Sequence, residues 1–303
     1  MRPLPCPLPY AGSKARASTA APIVAALRAV AGPGPVRVAV PFAGTGALAV
    51  RLQEAGFRVS YLGEASDIPG RVLRALRDQP GFAADAARAL AALPRDLDAQ
   101  RAWYLNARDV YNAAPDQVGP VGLVCLWLGG YNGLVRYSHG GRYNTPHGKA
   151  ADGGARQPWR TATAETLGAW GDALRRMPPC RLEGYGHAPQ PGDCGHDAAA
   201  YDPPYFGGFD AYVPGGFDHR AWSRHLTFTP GPWVACNSAA FAGPDGPGHL
   251  LATVPGIARA DAPERPGCIS SDGAGRARVA EGLLCRRAPL GSRASGRQNR
   301  SPW

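Results

Sequence analysis

Four consecutive residues, Asp202-Pro203-Pro204-Tyr205, follow an apolar run and combine groups that can act on a planar amine. An amine on an aromatic ring is a poor nucleophile because its lone pair is delocalised. The Asp202 carboxylate and a main-chain carbonyl of the two prolines can each accept one N–H, which favours a tetrahedral nitrogen whose lone pair points at a donor methyl. Prolines fix this backbone and donate no competing N–H. Tyr205 or Phe206 can stack on a base. The alternative is an ordinary turn rich in Pro and Tyr.

A second candidate segment is a glycine-rich loop between an expected strand and an expected helix. It contains Phe42, Ala43, Gly44, Thr45 and Gly46. Glycines let the backbone bend tightly and approach a nucleotide-like ligand closely. The next expected strand is followed by Glu64, a carboxylate suited to the hydroxyls of a ribose, with Asp67 as the second candidate. A plain strand-to-helix turn and a solvated carboxylate remain the alternatives.

Together with further segments, these motifs resemble the Dam-type family of DNA adenine methyltransferases. Tyr10-Ala11-Gly12-Ser13-Lys14 resembles the family's N-terminal segment. Residues 131–137 and 141–149 resemble its DNA-recognition hairpin, and residues 269–276 resemble its C-terminal Ser-Gly-Arg segment. The resemblance extends over approximately residues 9–286 in uninterrupted order. Glu64 stands where the family often has Asp, and Lys149 where it often has Arg, so no target sequence is carried over.

The resemblance implies transfer of a methyl group from S-adenosylmethionine to the 6-amino group of adenine in double-stranded DNA, with the adenine flipped out of the duplex. The implied catalytic residues are Asp202, Pro203, Pro204 and Tyr205. The implied cofactor-binding residues are Tyr10, Lys14, Phe42, Ala43, Gly44, Thr45, Gly46, Glu64 and Asp202. The implied DNA-binding residues are Tyr131, Asn132, Leu134, Arg136, Pro146 and Lys149. No metal is required.

Several residues of the implied recognition hairpin could contact DNA in a defined way. Arg136 can contact guanine with two hydrogen bonds in the major groove, and Leu134 or Pro146 can meet a thymine methyl. Tyr131 can fill the gap that an extruded base leaves. A surface hairpin without a partner is the alternative.

Hydrophobic periodicity indicates which elements position these residues. Strands are expected at 36–40, 57–62, 181–185, 198–201 and 233–237, and a C-terminal pair at 268–271 and 279–285, where a helix is possible for the last piece. Helices are expected at 47–55, 121–128 and 218–226, with two or three more over 69–114, and a hairpin with an exposed loop over 129–154. A strand, helix and strand within a short stretch imply parallel pairing.

The predicted fold class is therefore α/β, a Rossmann-like methyltransferase core with an inserted helical and β-hairpin target-recognition domain. The core is expected over residues 1–67 and 178–287, the recognition domain over 68–177, and a basic, disordered tail over 288–303.

Composition narrows the partners. The 303 residues carry a formal charge of +10, which favours a polyanionic partner such as nucleic acid. The seven scattered cysteines are typical of a protein in a reducing compartment, and the sequence shows no membrane span, so we expect a cytoplasmic protein. We also expect a monomer or weak dimer. Zinc ligation by Cys180, His187, Cys194 and His196 is an alternative with unusual spacing.

Two other functions remain open from the sequence. The first is a methyltransferase acting on adenine in RNA or on another planar amine, since the same tetrapeptide chemistry suits any delocalised nitrogen. The second is a DNA-binding regulator without catalysis. A ribbon shaped for the major groove of a duplex argues against the first, and the presence of both Asp202 and Gly44 argues against the second.

Overall fold

The computed structural model describes residues 3–10, 12–193, 195–209, 211–261, 265–266, 278–279 and 281–287. The helices are α1 (Ala17–Ala31), α2 (Ala47–Glu54), α3 (Asp67–Asp78), α4 (Phe82–Ala91), α5 (Leu97–Ala113), α6 (Pro120–Gly129), α7 (Ala164–Arg175) and α8 (His219–Phe228). The strands are β1 (Arg37–Val40), β2 (Arg58–Leu62), β3 (Ala198–Tyr201), β4 (Trp233–Ser238), β5 (Ile257–Asp261), β6 (Arg265–Pro266), β7 (Arg278–Val279) and β8 (Glu281–Arg286).

Six of these strands form one mixed sheet in the order β2-β1-β3-β4-β8-β5. Strands β2, β1, β3 and β4 are parallel, whereas β8 is antiparallel to both of its neighbours. From β1 the chain first adds β2 on one side and later β3 and β4 on the other. The strand order thus reverses between β1 and β3, and the crevice at the carboxyl ends of these strands is where open α/β sheets bind ligands.

The central strands are apolar because helices or loops cover both faces of the sheet. Val38, Ala39 and Val40 in β1 are fully buried, as is every residue of β3. Helix α2 links β1 to β2 and begins after Gly46, which has φ +77°. The βαβ unit and the α/β class expected from the sequence are confirmed at this level.

Helices α3 to α7 lie between β2 and β3 in the chain and pack on the sheet region rather than apart from it. One hydrophobic cluster contains Leu62 and Val38 from the sheet, Leu73 from α3, Trp127 from α6 and Trp170 from α7. Helix α7 packs against α3 and α4. Residues 68–177 and the sheet therefore share a core.

The strand expected at 181–185 is wrong. Only Arg181 pairs with the sheet, through a parallel bridge to Gly63 in which Arg181 N–H donates to Leu62 O (2.8 Å). Since Gly63 already follows the last residue of β2, the chain beyond Arg181 passes the end of its neighbour and has nothing to pair with. It instead forms a 3-10 turn over Tyr185–His187.

The hairpin expected over 129–154 is also less regular than expected. A 3-10 turn covers Tyr131–Gly133, and three isolated bridges, Gly130 with His147, Tyr137 with Tyr143, and Lys149 with Ala155, replace a continuous ladder. Side-chain hydroxyls take main-chain N–H groups that a regular ladder would pair across the two strands. Thr145 Oγ1 accepts Arg136 N–H (3.0 Å), and Ser138 Oγ accepts Arg142 N–H (3.2 Å). The main-chain groups of Tyr143 face Asn112, which donates to Tyr143 O (2.9 Å) and accepts Tyr143 N–H (2.7 Å).

Most other expected elements are confirmed, and some were missing from the sequence-based expectations. The helices expected over 69–114 are three, α3 to α5, and β8 is a strand rather than a helix. Helices α1 and α7 were not expected. The segments 268–271 and 288–303, and the Ser-Gly-Arg segment 269–276, lie outside the described residues. Within the described ranges, no helix is both long enough and apolar enough to cross a bilayer.

Candidate functional site

A cavity of about 530 Å³ lies at the carboxyl ends of β1, β2 and β3, a volume ordinary for a small-molecule site. The expected site residues in its wall are Tyr10, Lys14, Phe42, Ala43, Gly44, Thr45, Glu64, Asp202, Pro203, Pro204 and Tyr205. Residues separated by up to 195 positions in the chain thus meet in one crevice. Gly46 is not in the wall and serves instead as the turn into α2.

The glycine-rich loop after β1 is fixed from several sides. Gly44 has φ +54°, and a Cβ there would lie 3.3 Å from the ring of Tyr10, so the position suits glycine on two grounds. Ala43 N–H donates to Gly63 O (2.8 Å), which ties the loop to the end of β2. The buried indole of Trp170 donates to Thr45 O (2.9 Å), which ties it to α7. The loop is therefore rigid before any ligand arrives.

Glu64 lies beside this loop and is 8% exposed. Its Oε2 accepts Gly44 N–H (2.6 Å) and its Oε1 accepts Ser66 N–H (2.8 Å). Burial raises the pKa of Glu64, and hydrogen bonds from the main chain of Ser66, Gly44 and Ala65 oppose that shift. A carboxylate offers about four acceptor positions, so Glu64 can still accept a hydroxyl donor from the cavity.

Asp67, the second candidate for this role, has a structural role instead. Its Oδ2 accepts from Arg71 (3.2 Å) and from the hydroxyl of Tyr111 (3.0 Å), and the residue is outside the cavity wall. The structure therefore favours Glu64 over Asp67 as the carboxylate that faces a ligand.

Lys14 joins the N-terminal segment to the Asp-Pro-Pro-Tyr loop. Its Nζ donates to Asp202 Oδ1 (2.6 Å), to Tyr205 Oη (3.1 Å) and to Gly12 O (3.2 Å). The Lys14 side chain is 1% exposed and that of Asp202 is 15% exposed. Nζ also lies 5.1 Å from the centroid of the Tyr205 ring, but the shorter distance to the hydroxyl makes a hydrogen bond the better description. The ammonium therefore holds Asp202 and Tyr205 in a fixed relation.

The end of β4 supports the same loop. Asn237 Oδ1 accepts Phe206 N–H (2.8 Å), and Ser238 Oγ donates to Phe206 O (2.7 Å). The sequence had placed Asn237 at the end of a strand that resembles the family's late strand ending in Asn-Ser, but it had given neither Asn237 nor Ser238 a role in the site. The available signal was this Asn-Ser pair at the end of an apolar strand that neighbours β3.

Aromatic side chains form another part of the wall. Phe42 is stacked on Tyr185 with ring centroids 5.6 Å apart, and Phe217 and Trp222 meet it edge-on. On the opposite side Tyr212 lies 5.4 Å from Tyr10. Aromatic faces attract cations. Tyr185, Phe217 and Tyr212 were not among the expected site residues, and a lone aromatic in a loop gives no spacing signal.

The expected DNA-binding residues are distributed unequally. Tyr131 is 45% exposed, and Asn132, Pro146 and Lys149 are also exposed. Arg136 is half-buried. The expectation for Leu134 is corrected, since this residue is only 4% exposed and its side chain is not available to a thymine methyl in this arrangement. An apolar residue between glycine and valine was as compatible with a core position as with a groove contact.

No group of three His, Cys, Asp or Glu side chains within the described ranges forms a metal site. The alternative zinc set includes Cys194, which lies outside those ranges. His196, another member of that set, instead shares a hydrogen bond with Ser60 through its Nδ1 (2.9 Å).

No protein-family model and no curated protein matches this sequence. Among solved structures, the chain is similar to the rRNA methyltransferase AviRa from Streptomyces viridochromogenes, with 16% identity over 91% of this chain and 86% of that chain and a TM-score of 0.34. A TM-score of this size does not establish a shared fold or a shared substrate. The functional argument therefore rests on the geometry of the site.

Proposed function

We propose that this chain is an S-adenosylmethionine-dependent methyltransferase that acts on the 6-amino group of adenine in double-stranded DNA. One observation carries the proposal. A rigid glycine loop, a buried carboxylate at Glu64 and the Lys14-braced Asp202-Pro203-Pro204-Tyr205 loop line one cavity at the reversal point of the sheet. Under this proposal residues 1–67 and 178–287 form a Rossmann-like core, and residues 68–177 form the target-recognition region.

The cavity wall fits the cofactor by its chemistry. S-adenosylmethionine, when bound, supplies a methyl group on a cationic sulfonium. Glu64 can accept from its ribose hydroxyls, and the Phe42 and Tyr185 rings suit the adenine and the positive charge. The absent Cβ of Gly44 lets the Tyr10 ring, another part of the cavity wall, pack against the loop. A volume of about 530 Å³ is adequate for a ligand of this size.

The catalytic loop then orients the amine. Asp202 accepts one N–H and a proline carbonyl accepts the other, which directs the nitrogen lone pair toward the methyl group. The hydrogen bond from Lys14 keeps Asp202 from rotating. The hydrogen bonds that the Phe206 main chain makes with Asn237 and Ser238 keep Phe206 in place. The enzyme contributes positioning and electrostatics, which can supply a large share of a methyl-transfer rate.

Double-stranded DNA is favoured as the substrate by the segment 131–149. It exposes Tyr131, Pro146 and Lys149 and holds the Arg136 guanidinium, and a guanidinium matches the O6 and N7 acceptors of guanine. The net charge of +10 fits a phosphate backbone. Base flipping would bring the adenine to Asp202.

The experiment measures transfer of labelled methyl from S-adenosylmethionine to duplex DNA and, in parallel, to structured RNA. We expect adenine methylation in duplex DNA, its abolition in Asp202→Ala, and nearly unchanged DNA binding in that variant. Asp197→Ala is the matched control, since Asp197 is an exposed carboxylate paired with Arg37 and outside the cavity. Full activity of Asp202→Ala would contradict the catalytic assignment, and transfer to RNA alone would contradict the DNA substrate.

A further inference from the structure

Asn144 faces Arg136 across the segment 131–149. Its main-chain N–H donates to Arg136 O (2.9 Å), while Arg136 N–H donates to the hydroxyl of Thr145 (3.0 Å). Thr145 in turn donates to Leu134 O (3.1 Å) and is fully buried. The backbone around Arg136 is therefore held on both of its main-chain groups, so the side chain starts from a fixed point.

Asn144 also holds the guanidinium of Arg136 itself. Arg136 Nε–H donates to Asn144 Oδ1 (2.8 Å), and Nη2 donates to Asn144 O (2.8 Å). These two donors belong to the same side edge of the planar group. One residue thus fixes both the direction and the plane of a side chain that is otherwise among the most flexible in proteins.

The edge that these bonds do not occupy has a definite geometry. A guanidinium has five N–H groups in a rigid fork. With Nε and one N–H of Nη2 engaged, the end edge formed by Nη1 and the second N–H of Nη2 presents two parallel donors. That pair matches the O6 and N7 acceptors of guanine in the major groove.

We infer that Asn144 is a positioning residue for sequence recognition, which orients the Arg136 guanidinium so that its end edge reads one guanine. The inference rests on the proposed function, because it presupposes that segment 131–149 meets duplex DNA. Asn144 was not among the residues that the sequence had suggested for DNA contact. Its role follows from its two acceptors on one edge of Arg136.

A side chain that is already oriented in the free protein loses less conformational entropy when it binds. Removing the amide of Asn144 should therefore lower discrimination at a single base pair by about two- to tenfold. Asn144→Asp keeps an acceptor at the same place and should retain the discrimination. In contrast, Arg136→Ala removes the guanidinium that would contact the guanine, so discrimination at that base pair should fall by about 5- to 150-fold.

A matched control separates orientation from general loosening. Asn112 also braces this segment, with two hydrogen bonds to the main chain of Tyr143, but these bonds do not involve Arg136. Asn112→Ala should lower the stability of the segment without changing the base preference. Equal loss of preference in Asn112→Ala and Asn144→Ala would overturn the orienting role.

The experiment first maps methylated adenines by sequencing DNA from cells that express the protein. It then compares kcat/KM on duplexes in which each base pair near the target is replaced, for the wild type and for the Asn144→Ala, Asn144→Asp, Asn112→Ala and Arg136→Ala variants. We expect Asn144→Ala to lose preference at the same guanine as Arg136→Ala, and Asn144→Asp to keep it. An unchanged preference in Asn144→Ala would overturn the inference while leaving the proposed function intact.

A second measurement uses the free protein. We expect the Arg136 Nε–H to exchange slowly with solvent in the wild type and in Asn144→Asp, and rapidly in Asn144→Ala. Nitrogen NMR measures these exchange rates. Equal exchange in wild type and Asn144→Ala would overturn the inference without any DNA. Absence of DNA methylation together with slow Nε–H exchange would instead contradict the proposed function, since the orientation would be present without its use.

Discussion

The Lys14–Asp202 ion pair joins the N-terminal segment to the proposed catalytic loop. An ammonium buried to 1% exposure lies 2.6 Å from a carboxylate that keeps 15% exposure. Loss of one partner of a buried pair leaves the other charge poorly compensated, although the partial exposure of Asp202 reduces that cost. Sequence reasoning placed Lys14 near the cofactor, whereas the structure adds a direct hydrogen bond to the proposed catalytic carboxylate.

Lys14→Met keeps most of the side-chain length and removes the charge. We expect the free energy of unfolding to fall by about 1–3 kcal/mol and methyl transfer to slow by about 10- to 100-fold, since Asp202 and Tyr205 lose their common donor. Chemical unfolding of Lys14→Met, Asp202→Asn and the double variant measures the coupling. The free energy of unfolding of the double variant should fall by less than the sum of the decreases in the two single variants. Strict additivity would show that the two residues do not interact.

Glu64 predicts a pH dependence that differs between ligand binding and folding. Because burial raises the pKa of Glu64, folding favours its protonated form, so its contribution to stability is present at low pH and is lost as the pH rises through the raised pKa. Ribose hydroxyls donate best to the ionised carboxylate. Affinity for the cofactor should therefore be full above that pKa and should fall as the pH falls through it.

Calorimetric titration with S-adenosylhomocysteine from acid to neutral pH tests this dependence. Glu64→Gln is nearly isosteric and cannot ionise, so its affinity should be weak throughout and nearly independent of pH. Wild-type affinity that does not change with pH, or a Glu64→Gln variant with the wild-type profile, would exclude Glu64 as the ribose acceptor.

At the scale of elements, the loop after β1 depends on glycine for contact as well as for conformation. Gly44 and Gly81 both have positive φ, +54° and +76°, so alanine at either site costs about 1–2 kcal/mol of backbone strain. A Cβ at Gly81 meets nothing within 4 Å, but one at Gly44 lies 3.3 Å from the Tyr10 ring. The two positions therefore separate strain from crowding.

We expect Gly81→Ala to lower the melting temperature through backbone strain alone, and Gly44→Ala to lower it further because its Cβ also crowds the Tyr10 ring. Only Gly44→Ala should weaken cofactor binding, by about tenfold, because its Cβ overpacks the site and displaces Tyr10 in the cavity wall. Thermal unfolding and calorimetric titration of both variants provide the comparison. Equal cofactor affinities in the two variants would mean that the loop does not form the cofactor site.

The elements also show what the sequence could and could not predict. Alternation and glycine punctuation were sufficient for β1, α2 and β2, because their pattern is local. The strand expected at 181–185 failed for a non-local reason, since Arg181 meets β2 only where β2 ends. The regular ribbon failed because the hydroxyls of Thr145 and Ser138 accept the N–H groups of Arg136 and Arg142, which a continuous ladder would pair across the two strands. Helix α7 had a local signal in the capping box of Thr163 and Thr166 that was not used.

The candidate site was predictable to a similar extent. Residue types and their order identified the loop residues near Gly44, Glu64 and Asp202. Supporting residues such as Ser238 and Tyr185 were not predictable, because each acts only through a neighbour far away in the chain. Leu134 was misassigned since an apolar residue in a loop does not reveal which way it faces.

At the scale of the whole molecule, the expected division at residues 68 and 177 does not correspond to two hydrophobic cores. The same cluster joins Val38 and Leu62 of the sheet to Trp127 and Trp170 of the intervening helices, and Trp170 also holds the glycine loop through Thr45. Independent domains are expected to have cores of their own. Here the proposed recognition region and the proposed cofactor site are parts of one packed unit.

A shared core predicts a single cooperative unfolding transition, with equal calorimetric and van't Hoff enthalpies. S-adenosylhomocysteine, whose proposed contacts lie in the cavity, should protect α4 and α6 from hydrogen exchange as strongly as β1, because both regions open only by global unfolding. At a concentration 100 times its Kd, the expected added protection is about 2.7 kcal/mol in all three elements. Two separate transitions, or protection confined to β1, would show that residues 68–177 unfold independently of the sheet.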